Sequence, residues 1–225
     1  MSGVQRMMKK VIIIGSGGVA AEVTTFIDCI NSTAKERIDI VGIIDDSIDN
    51  YRINSKKYGF PYPYLGTTAD HQCGQNQIFI LALANIEARM TILKKSEAKG
   101  LIFMNIIHPS AQVSKFAKIG QGNLIYPNCV IGPNCEIGNH NILTSFSFIS
   151  HDSTIGNNNF FATGGLSGNV RIGHDNYFGI RSVVLPGIDI GSHNVVQAGM
   201  IVDKNVTDHE TVFYRYKEKV SIINR

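Results

Sequence analysis

Two histidines in the second half of the chain are each followed directly by an aspartate, as His151-Asp152 and His174-Asp175. A histidine ordinarily titrates close to neutral pH, which suits a general base, and an adjacent carboxylate favours its charged form. Such a pair can remove the proton from a nucleophile as it attacks. Like most histidines of this region, His174 comes just after an Ile-Gly dipeptide, where solvated polar residues are expected in any case. A His-Asp pair on its own is most often part of a solvated turn, but His151 lies ahead of the next Ile-Gly, and within the framework described below we predict that His151 is the base and that Asp152 supports it.

A second candidate site is a glycine-rich loop near the start of the chain. Gly15, Gly17 and Ala20 match the pattern G-x-G-x-x-G/A after an apolar run, and Asp45 and Asp46 follow the next predicted strand. Glycines let backbone N–H groups approach a phosphate, and the N-terminus of the following helix adds partial positive charge. The pattern also fits a tight strand-to-helix turn that binds nothing. Because about 105 residues supply only half of a usual dinucleotide-binding domain, a single nucleotide-bearing ligand is favoured over NAD.

The first hundred residues alternate predicted strands and helices. Strands are expected at residues 11–14, 38–44, 78–84 and 103–107, and helices at residues 20–30 and 87–99. This alternation is typical of a parallel sheet. We therefore predict a small Rossmann-like α/β domain in residues 1–107.

The second half has a different period, because an apolar residue recurs every six positions from residue 113 to residue 202. One step, between Phe161 and Leu166, is shortened to five residues. Gly and Asn follow many of the apolar positions, and both tolerate the positive φ of tight corners. A single rung cannot bury its apolar residue, but stacked rungs bury a continuous column. We predict a parallel β-helix of about five coils, with three rungs per coil, within a second domain of residues 108–225 that ends in a C-terminal tail.

Composition narrows the class of protein further. The 225 residues are 44% apolar and 17% charged, with a net charge of +3, which is too small to indicate nucleic acid as a partner. No apolar stretch is long enough to span a membrane, and no secretion signal is recognisable. We therefore expect a cytoplasmic protein whose cysteines are reduced thiols, namely Cys29, Cys73, Cys129 and Cys135.

The order of these motifs resembles one family closely. A short glycine-loop domain, the link IIHPSAQVS, hexapeptide rungs and then FISHDSTIG and SGNVRIG are similar to the nucleotide-aminosugar N-acetyltransferases of bacterial glycan biosynthesis. Relatives of that family include sialic acid O-acetyltransferases. The resemblance covers roughly residues 10–204. It implies a left-handed β-helix, a homotrimer, and transfer of an acetyl group from acetyl-CoA to a nucleotide-linked amino sugar, such as a 4-amino-4,6-dideoxy sugar. O-acetylation of a sugar such as sialic acid is the alternative.

The resemblance also assigns roles to particular residues. The catalytic histidine and its acid match His151 and Asp152. The residues that hold the nucleotide sugar match Gly15, Ser16, Gly17, Gly18, Asp45, Asp46, Ala84 and Asn85. The residues that contact acetyl-CoA match Phe160, Gly168, Ile180 and Ala198, and the amide of Gly168 would meet the thioester carbonyl. The six-residue register independently places Gly168 one coil above His151.

Several positions depart from the pattern of the family. A glycine-loop histidine is replaced by Val19, an asparagine seven residues before the catalytic histidine by Thr144, and a second histidine near the acyl-CoA by Phe160. The usual Gly-x-Pro-Ala-Lys ending is replaced by Phe-Tyr-Arg-Tyr-Lys at residues 213–217. These changes bear on the acceptor sugar and on the contacts with the acyl-CoA.

Two functions of other classes remain open from the residues alone. A trimeric β-helix with several histidines can be a zinc-dependent carbonic anhydrase, which needs three ligands that converge between subunits. His140, His151 and His174 show no recognisable ligand spacing, and we expect no metal. A non-catalytic module that binds nucleotide sugars is the other alternative.

Overall fold

The computed structural model of the protein describes residues 8–34, 36–71 and 77–214, without the side chains of residues 97 and 98. The first part is a four-stranded parallel sheet with three helices. Its strands are β1 (Met8–Ile14), β2 (Arg37–Ile44), β3 (Ile78–Leu81) and β4 (Ile102–Phe103), and its helices are α1 (Gly18–Thr33), α2 (Ile48–Tyr58) and α3 (Ile86–Lys99).

The sheet has the strand order β2-β1-β3-β4, so the chain leaves β1 in one direction and returns on its other side. The second half of β1 is fully buried because both faces of the sheet are covered, which explains its unbroken apolar run. In such sheets, ligands bind outside the carboxyl ends of the strands where the order reverses. Here that point lies between the ends of β1 and β3.

Helix α2 was not predicted, and β3 ends three residues earlier than expected. None of the residues of α2 is buried, so the helix carries no apolar stripe that its sequence would reveal. The residues that cap its two ends mark the helix instead. The Ser47 side chain accepts a hydrogen bond from the N–H of Asn50, and Gly59 ends the helix in the left-handed conformation.

The second part is a three-sided parallel β-helix, as predicted. The first face consists of β5 (Ile106–Ile107), β8 (Leu124–Ile125), β11 (Ile142–Leu143), β14 (Phe160–Phe161), β17 (Tyr177–Phe178), β20 (Val195–Val196) and β22 (Thr211–Val212). The second face consists of β6 (Gln112–Val113), β9 (Val130–Ile131), β12 (Phe148–Ile149), β15 (Gly165–Leu166), β18 (Val183–Val184) and β21 (Ile201–Val202). The third face consists of β7 (Lys118–Ile119), β10 (Glu136–Ile137), β13 (Thr154–Ile155), β16 (Arg171–Ile172) and β19 (Asp189–Ile190).

The chain passes from the first face to the second, the third and back, which defines three corners. The first corner joins the first and second faces, the second corner joins the second and third, and the third corner leads back to the first face. The predicted inward residues are buried, except that Val113 is exposed and Ile119 half-buried at the start of the β-helix. The shortened step falls at a first corner, between Phe161 and Leu166, where Thr163 adopts φ 51°. The six-residue period is therefore confirmed.

A ladder of asparagines, all buried except the half-buried Asn105, runs inside the third corner. In each coil the side-chain oxygen of one asparagine accepts the backbone N–H of the asparagine in the next coil, at 2.8 to 2.9 Å. The members are Asn105, Asn123, Asn141, Asn159, Asn176 and Asn194. Buried polar groups are tolerated when they are paired in this way, so the ladder explains why asparagine precedes most strands of the first face.

The α/β domain packs against the N-terminal coils of the β-helix, at the first face and the first corner. The Tyr126 hydroxyl donates to the Glu22 carboxylate at 2.8 Å, and the Phe26 ring meets the Tyr126 ring edge to face at 4.7 Å. The strand predicted at residues 103–107 is divided between the two parts. Residues 102–103 join β3, whereas residues 106–107 form the first rung of the β-helix and pair with β8.

Candidate active site

His151 lies at a second corner, where one of its two imidazole nitrogens, Nδ1, is hydrogen-bonded. Its Nδ1 lies 2.7 Å from Asp152 Oδ2, and the side chain is 61% exposed. The carboxylate accepts the Nδ1 proton, which leaves Nε2 as the nitrogen that can accept another proton. The dipeptide therefore has the geometry of a general base with an orienting acid.

Asp152 is itself held in place from the coil below. Asn134 Nδ2 donates to Asp152 Oδ1 at 2.7 Å, and the backbone of Asp152 adopts φ 59°, which aspartate tolerates better than most residues. The hydrogen bond from Asn134, and then the one from His151, lowers the pKa of the Asp152 carboxyl below its usual value. Sequence reasoning missed Asn134, although its position one coil of 18 residues before Asp152 could have revealed it.

Gly168 lies directly beside the His151 ring. A Cβ atom at position 168 would fall 2.7 Å from Cε1 and 2.8 Å from Nε2 of His151, so only glycine fits without displacing the ring. The N–H of Gly168 donates to no acceptor within residues 8–34, 36–71 and 77–214, whereas the next N–H, of Asn169, donates to the His151 carbonyl. The second corner therefore places Nε2 of His151 and the N–H of Gly168 next to each other, and neither has a hydrogen-bond partner in the described part of the chain.

His174 has a different environment from His151. It lies at a third corner, and its Nδ1 accepts the backbone N–H of Asn157 at 2.8 Å. Its neighbour Asp175 accepts from Asn158 Nδ2 at 2.6 Å and lies 3.8 Å from His193 Nδ1. The imidazole of His174 is thus a structural acceptor, and its aspartate does not support it.

The glycine loop forms at the end of β1. Gly15 has φ 100°, and a Cβ there would lie 2.8 Å from the Ala82 carbonyl oxygen, so the loop needs glycine at this position. Gly17 precedes α1 without a side-chain cap, and apart from its chain neighbours no described residue lies within 4 Å of the position that a Cβ would take. The first N–H groups of α1 are therefore uncapped, as an anion-binding helix N-terminus requires. Gly18 is the first helical residue.

Other predicted substrate residues shape this loop. Ser16 is fully buried, and both its N–H and its hydroxyl donate to Asp45 Oδ2, at 2.9 and 2.6 Å. Asp46 accepts from the N–H and the hydroxyl of Thr68. The Ser16 bonds thus join the glycine loop to Asp45 at the end of β2, whereas Asp46 is bonded to Thr68 in the segment between α2 and β3.

Ala84 and Asn85 follow β3 and line a cleft of about 780 Å³ that separates the start of α3 from the third corner. Asn85 Oδ1 accepts the N–H of Ala88 at 2.8 Å and so caps α3. The β-helix wall of the cleft includes Tyr177 and His193. Ala84 and Asn85, which lie next to the switch point of the sheet, therefore face the third corner of the same chain and not the second corner, which carries His151.

The four predicted acetyl-CoA residues lie in three places. Gly168 is at the second corner, while Ile180 and Ala198 are exposed at the first corner. Phe160 points outward from the first face, is 9% exposed, and stacks on Tyr177 with ring centroids 5.4 Å apart. A single chain does not bring these residues together.

Thr144, which replaces an asparagine of the family pattern, makes a hydrogen bond to the shortened corner. Its hydroxyl accepts the backbone N–H of Thr163 at 2.7 Å. Phe213 and Tyr214 of the atypical ending are exposed, and residues 215–217 lie outside the described residues.

Two family models match the chain. Residues 10–96 match the PglD N-terminal domain, and residues 116–151 match the bacterial transferase hexapeptide (six repeats). The chain therefore combines a PglD-type N-terminal domain with hexapeptide transferase repeats, which confirms the resemblance predicted from the sequence. No curated protein sequence matches the chain significantly.

Several solved structures are similar over almost the whole chain. The acetyltransferase domain of PglB from Neisseria gonorrhoeae is 23% identical, with a TM-score of 0.76 over 90% of this chain and 95% of that one, and is also known with acetyl coenzyme A. A histidine-to-alanine mutant of GDP-perosamine N-acetyl transferase from Caulobacter crescentus, in complex with CoA and GDP-perosamine, is 23% identical, with a TM-score of 0.75 over 94% and 97%. WeeI from Acinetobacter baumannii is 23% identical, with a TM-score of 0.73 over 91% and 96%. The predicted fold, an α/β domain followed by a left-handed parallel β-helix, is thereby confirmed.

The structure also bears on metal binding and membrane insertion. Within the described ranges, no three His, Cys, Asp or Glu side chains are grouped so that they could hold a metal ion. His140 and His174 lie at third corners and His151 at a second corner, so one chain does not gather the three histidines considered for zinc. Among the described helices, none has the length and apolar character needed to cross a bilayer.

Proposed function

We propose that this protein is an acetyl-CoA-dependent N-acetyltransferase that acts on a nucleotide-linked amino sugar, with a 4-amino-4,6-dideoxy sugar as the expected acceptor. The observation that supports this most strongly is the second corner, where the Nε2 atom of His151 lies beside the N–H of Gly168, which has no acceptor among the described residues. The proposal also draws on the PglD-type and hexapeptide transferase domains and on the similar acetyltransferases.

The chemistry needs a base and an oxyanion donor at one point. The amine nitrogen attacks the thioester carbonyl carbon, and the Gly168 N–H donates to the carbonyl oxygen as it gains charge. A C–N bond forms and the C–S bond breaks. His151 Nε2 removes the proton that the amine loses, and this proton leaves with the sulfur of CoA as the free thiol. Asp152 keeps the imidazole in the tautomer that this step needs.

We infer that the working site forms between subunits of a homotrimer in the cytoplasm. Ala84 and Asn85, at the end of β3, line a cleft at the third corner, while His151 lies at the second corner, one face away. Six residues at about 3.3 Å each make a face roughly 20 Å wide, which a single chain does not bridge. A neighbouring subunit would bring its His151 corner to the loop and would place Ile180 and Ala198 near Gly168, so that acetyl-CoA lies between the subunits.

The second face has the character of a subunit interface. Its outward residues include Val130, Phe148 and Ile201, which are 42%, 42% and 54% exposed. The third face instead carries ion pairs, such as Lys118 with Glu136 at 2.6 Å. A contiguous exposed apolar surface on one side of a protein marks an interaction site.

Light scattering tests the trimer. The wild-type protein should have three times the 24.7 kDa mass of one chain. Phe148→Asp should shift the mass towards one chain because it places a charge in the apolar face, whereas the matched control Thr154→Asp, on the polar third face, should not. A wild-type mass near one chain would contradict the proposal.

A substrate panel tests the activity. CoA release should be measured with acetyl-CoA and nucleotide-linked 4-amino sugars carrying UDP, dTDP or GDP, and with free sugars that include sialic acid. We expect release with one nucleotide amino sugar and none with the free sugars. Release with free sialic acid alone would indicate O-acetylation instead, and binding of nucleotide sugars without any release would indicate a non-catalytic module.

A further inference from the structure

Phe146, at a first corner, combines two unfavourable features. Its backbone adopts φ 65°, in the left-handed region, and its side chain is 65% exposed. A left-handed conformation is a genuine outlier for a bulky residue, and such strain is concentrated at functional sites. The same corner position of other coils also has positive φ, but it is occupied there by Asn128, Thr163, Arg181 and Gly199. An exposed ring gains nothing within a single chain, so its contact is to be sought in a neighbouring subunit.

The exposed apolar side chains of the β-helix are unevenly distributed around it. In the described ranges, the third face and the third corners carry no large one. The second face and the two corners that flank it carry most of them, namely Phe146 and Ile180 at first corners, Val113, Val130, Phe148 and Ile201 on the second face, and Phe116 and Leu185 at second corners. A contiguous apolar surface marks an interaction site, and here that surface includes both flanking corners.

A homotrimer determines which corners meet. When a three-sided prism turns one face towards a threefold axis, the first corner of each subunit lies against the second corner of the next. Rotation about an axis along the β-helix leaves the height of each coil unchanged. Phe146 and His151 belong to the same coil, on either side of β12. Within the homotrimer of the proposed function, on which this assignment rests, Phe146 of one subunit therefore lies at the height of His151 of the next.

The residues expected to contact acetyl-CoA have an order along this junction. Counted towards the C-terminus, Ile180 lies two coils above Phe146 and Ala198 three coils above it, and Gly168 lies one coil above His151. The CoA part of the donor therefore extends over the upper coils, and its thioester carbonyl lies at Gly168. The acyl group then points to the next coil down, which is the coil of Phe146.

We propose that Phe146 closes the acyl end of the groove in the neighbouring subunit and restricts the donor to short acyl groups, acetyl above all. A phenyl ring provides an apolar wall for the methyl group of acetyl-CoA, and it occupies the space that further methylene groups would need. A hydrophobic pocket distinguishes chains that differ by one methylene roughly 10- to 200-fold. The exposure of the ring has a reason in this arrangement, because only a side chain that projects from the corner reaches the groove of another subunit.

Calorimetry on the full chain tests this role without the acceptor sugar. The probes are acetyl-CoA, butyryl-CoA and free CoA. Phe146→Gly removes the ring at a corner position that accepts glycine, as Gly199 with φ 72° shows, and Phe146→Leu keeps an apolar side chain that is shorter than phenylalanine. Asn128→Gly makes the same backbone change one coil below and is the matched control. Light scattering gives the mass of each variant.

We expect the wild type to bind butyryl-CoA more weakly than acetyl-CoA by roughly tenfold or more. Phe146→Gly and Phe146→Leu should reduce this difference to about threefold or less, because the space for the longer chain becomes available. Asn128→Gly should keep the difference of the wild type, and free CoA should bind all four proteins equally.

The assignment is overturned if the wild type binds butyryl-CoA as tightly as acetyl-CoA, or if a trimeric Phe146 variant keeps the wild-type difference. Loss of the trimer in both Phe146 variants would make the ring a subunit contact only and would also overturn it. CoA release with a nucleotide amino sugar is measured in parallel. Retained release with equal affinities for the two donors contradicts the role of Phe146 alone, whereas a wild type that binds no acyl-CoA contradicts the proposed function as well.

Discussion

His151-Asp152 and His174-Asp175 are the same dipeptide at two corners of one β-helix, yet their contacts differ. At the second corner, the histidine bonds its own aspartate and its Nε2 lies beside Gly168. At the third corner, the histidine accepts the N–H of Asn157, and its aspartate turns to Asn158 instead.

The difference follows from which position of the corner the histidine occupies. The position of His174 recurs in each coil, and there the side chain accepts a backbone N–H from the coil below. Asn139, Asn157, His174, Ser192 and Asp208 all do this. Four residue types perform one structural task at these five positions, so histidine there indicates no chemistry. His151 lies outside this ladder, and its ring is therefore free for a reaction.

The largest effect on this comparison should come from His151→Ala. We expect kcat to fall roughly 10²- to 10⁴-fold, the usual contribution of a positioned proton transfer. KM for both substrates should change little, because the imidazole acts in the transition state more than in ground-state binding. Steady-state CoA release at saturating substrates measures this. Retention of most of kcat at pH 7 would mean that the two histidines are equivalent after all.

Gly168→Ala should have the next largest effect. Its Cβ would meet the His151 ring at less than 3 Å and push the imidazole out of position, and a misplacement of about 1 Å can reduce a rate roughly 100-fold. We expect kcat to fall roughly 10- to 100-fold while nucleotide-sugar binding, followed by calorimetry, stays the same. An unchanged kcat would show that the contact between the ring and the glycine does not matter.

Asp152→Asn should lower kcat by a smaller factor, roughly tenfold. The histidine base remains in place, and only its orientation and the stabilisation of its charged form are weakened. Asn134→Ala should act in the same direction with a smaller effect, since it removes one hydrogen bond to the carboxylate. The same CoA-release assay ranks the two. A loss for Asp152→Asn as large as that for His151→Ala would require a more direct role for the carboxylate.

His174→Ala should leave kcat within about twofold of the wild type and should instead reduce stability. It removes the acceptor of the Asn157 N–H, a loss of about 1 kcal/mol. Thermal unfolding measures this, and His174→Asn is the matched control, because asparagine serves as the acceptor at the same position of two other coils. A large loss of activity with unchanged stability would assign chemistry to the third corner.

The sequence predicted the β-helix well because every rung repeats one local rule, an apolar residue inside followed by a corner. It also placed Gly168 above His151, since the six-residue register determines which residues are neighbours across coils. The register continues beyond the shortened step, because the corner at Thr163 accommodates the loss of one residue. It did not reveal helix α2, which has no buried side.

The candidate sites were predicted less completely. The role of the acids after β2 in substrate binding stays a prediction, but their partners within the domain, Ser16 for Asp45 and Thr68 for Asp46, were not predicted. Such pairings depend on contacts between distant segments that no local pattern encodes. A second cleft between α3 and the third corner, lined by residues from Met90 to Asp175, was not predicted for the same reason, because its lining residues are up to 85 residues apart in sequence.

The pH dependence of kcat/KM, compared in the wild type, His151→Ala and His174→Ala, tests the central claim most directly. Histidines ordinarily change charge between about pH 5 and 8. We predict an ascending limb in that range for the wild type and for His174→Ala, and its disappearance in the residual activity of His151→Ala. An ascending limb that persists in His151→Ala would contradict the assignment of His151 as the base.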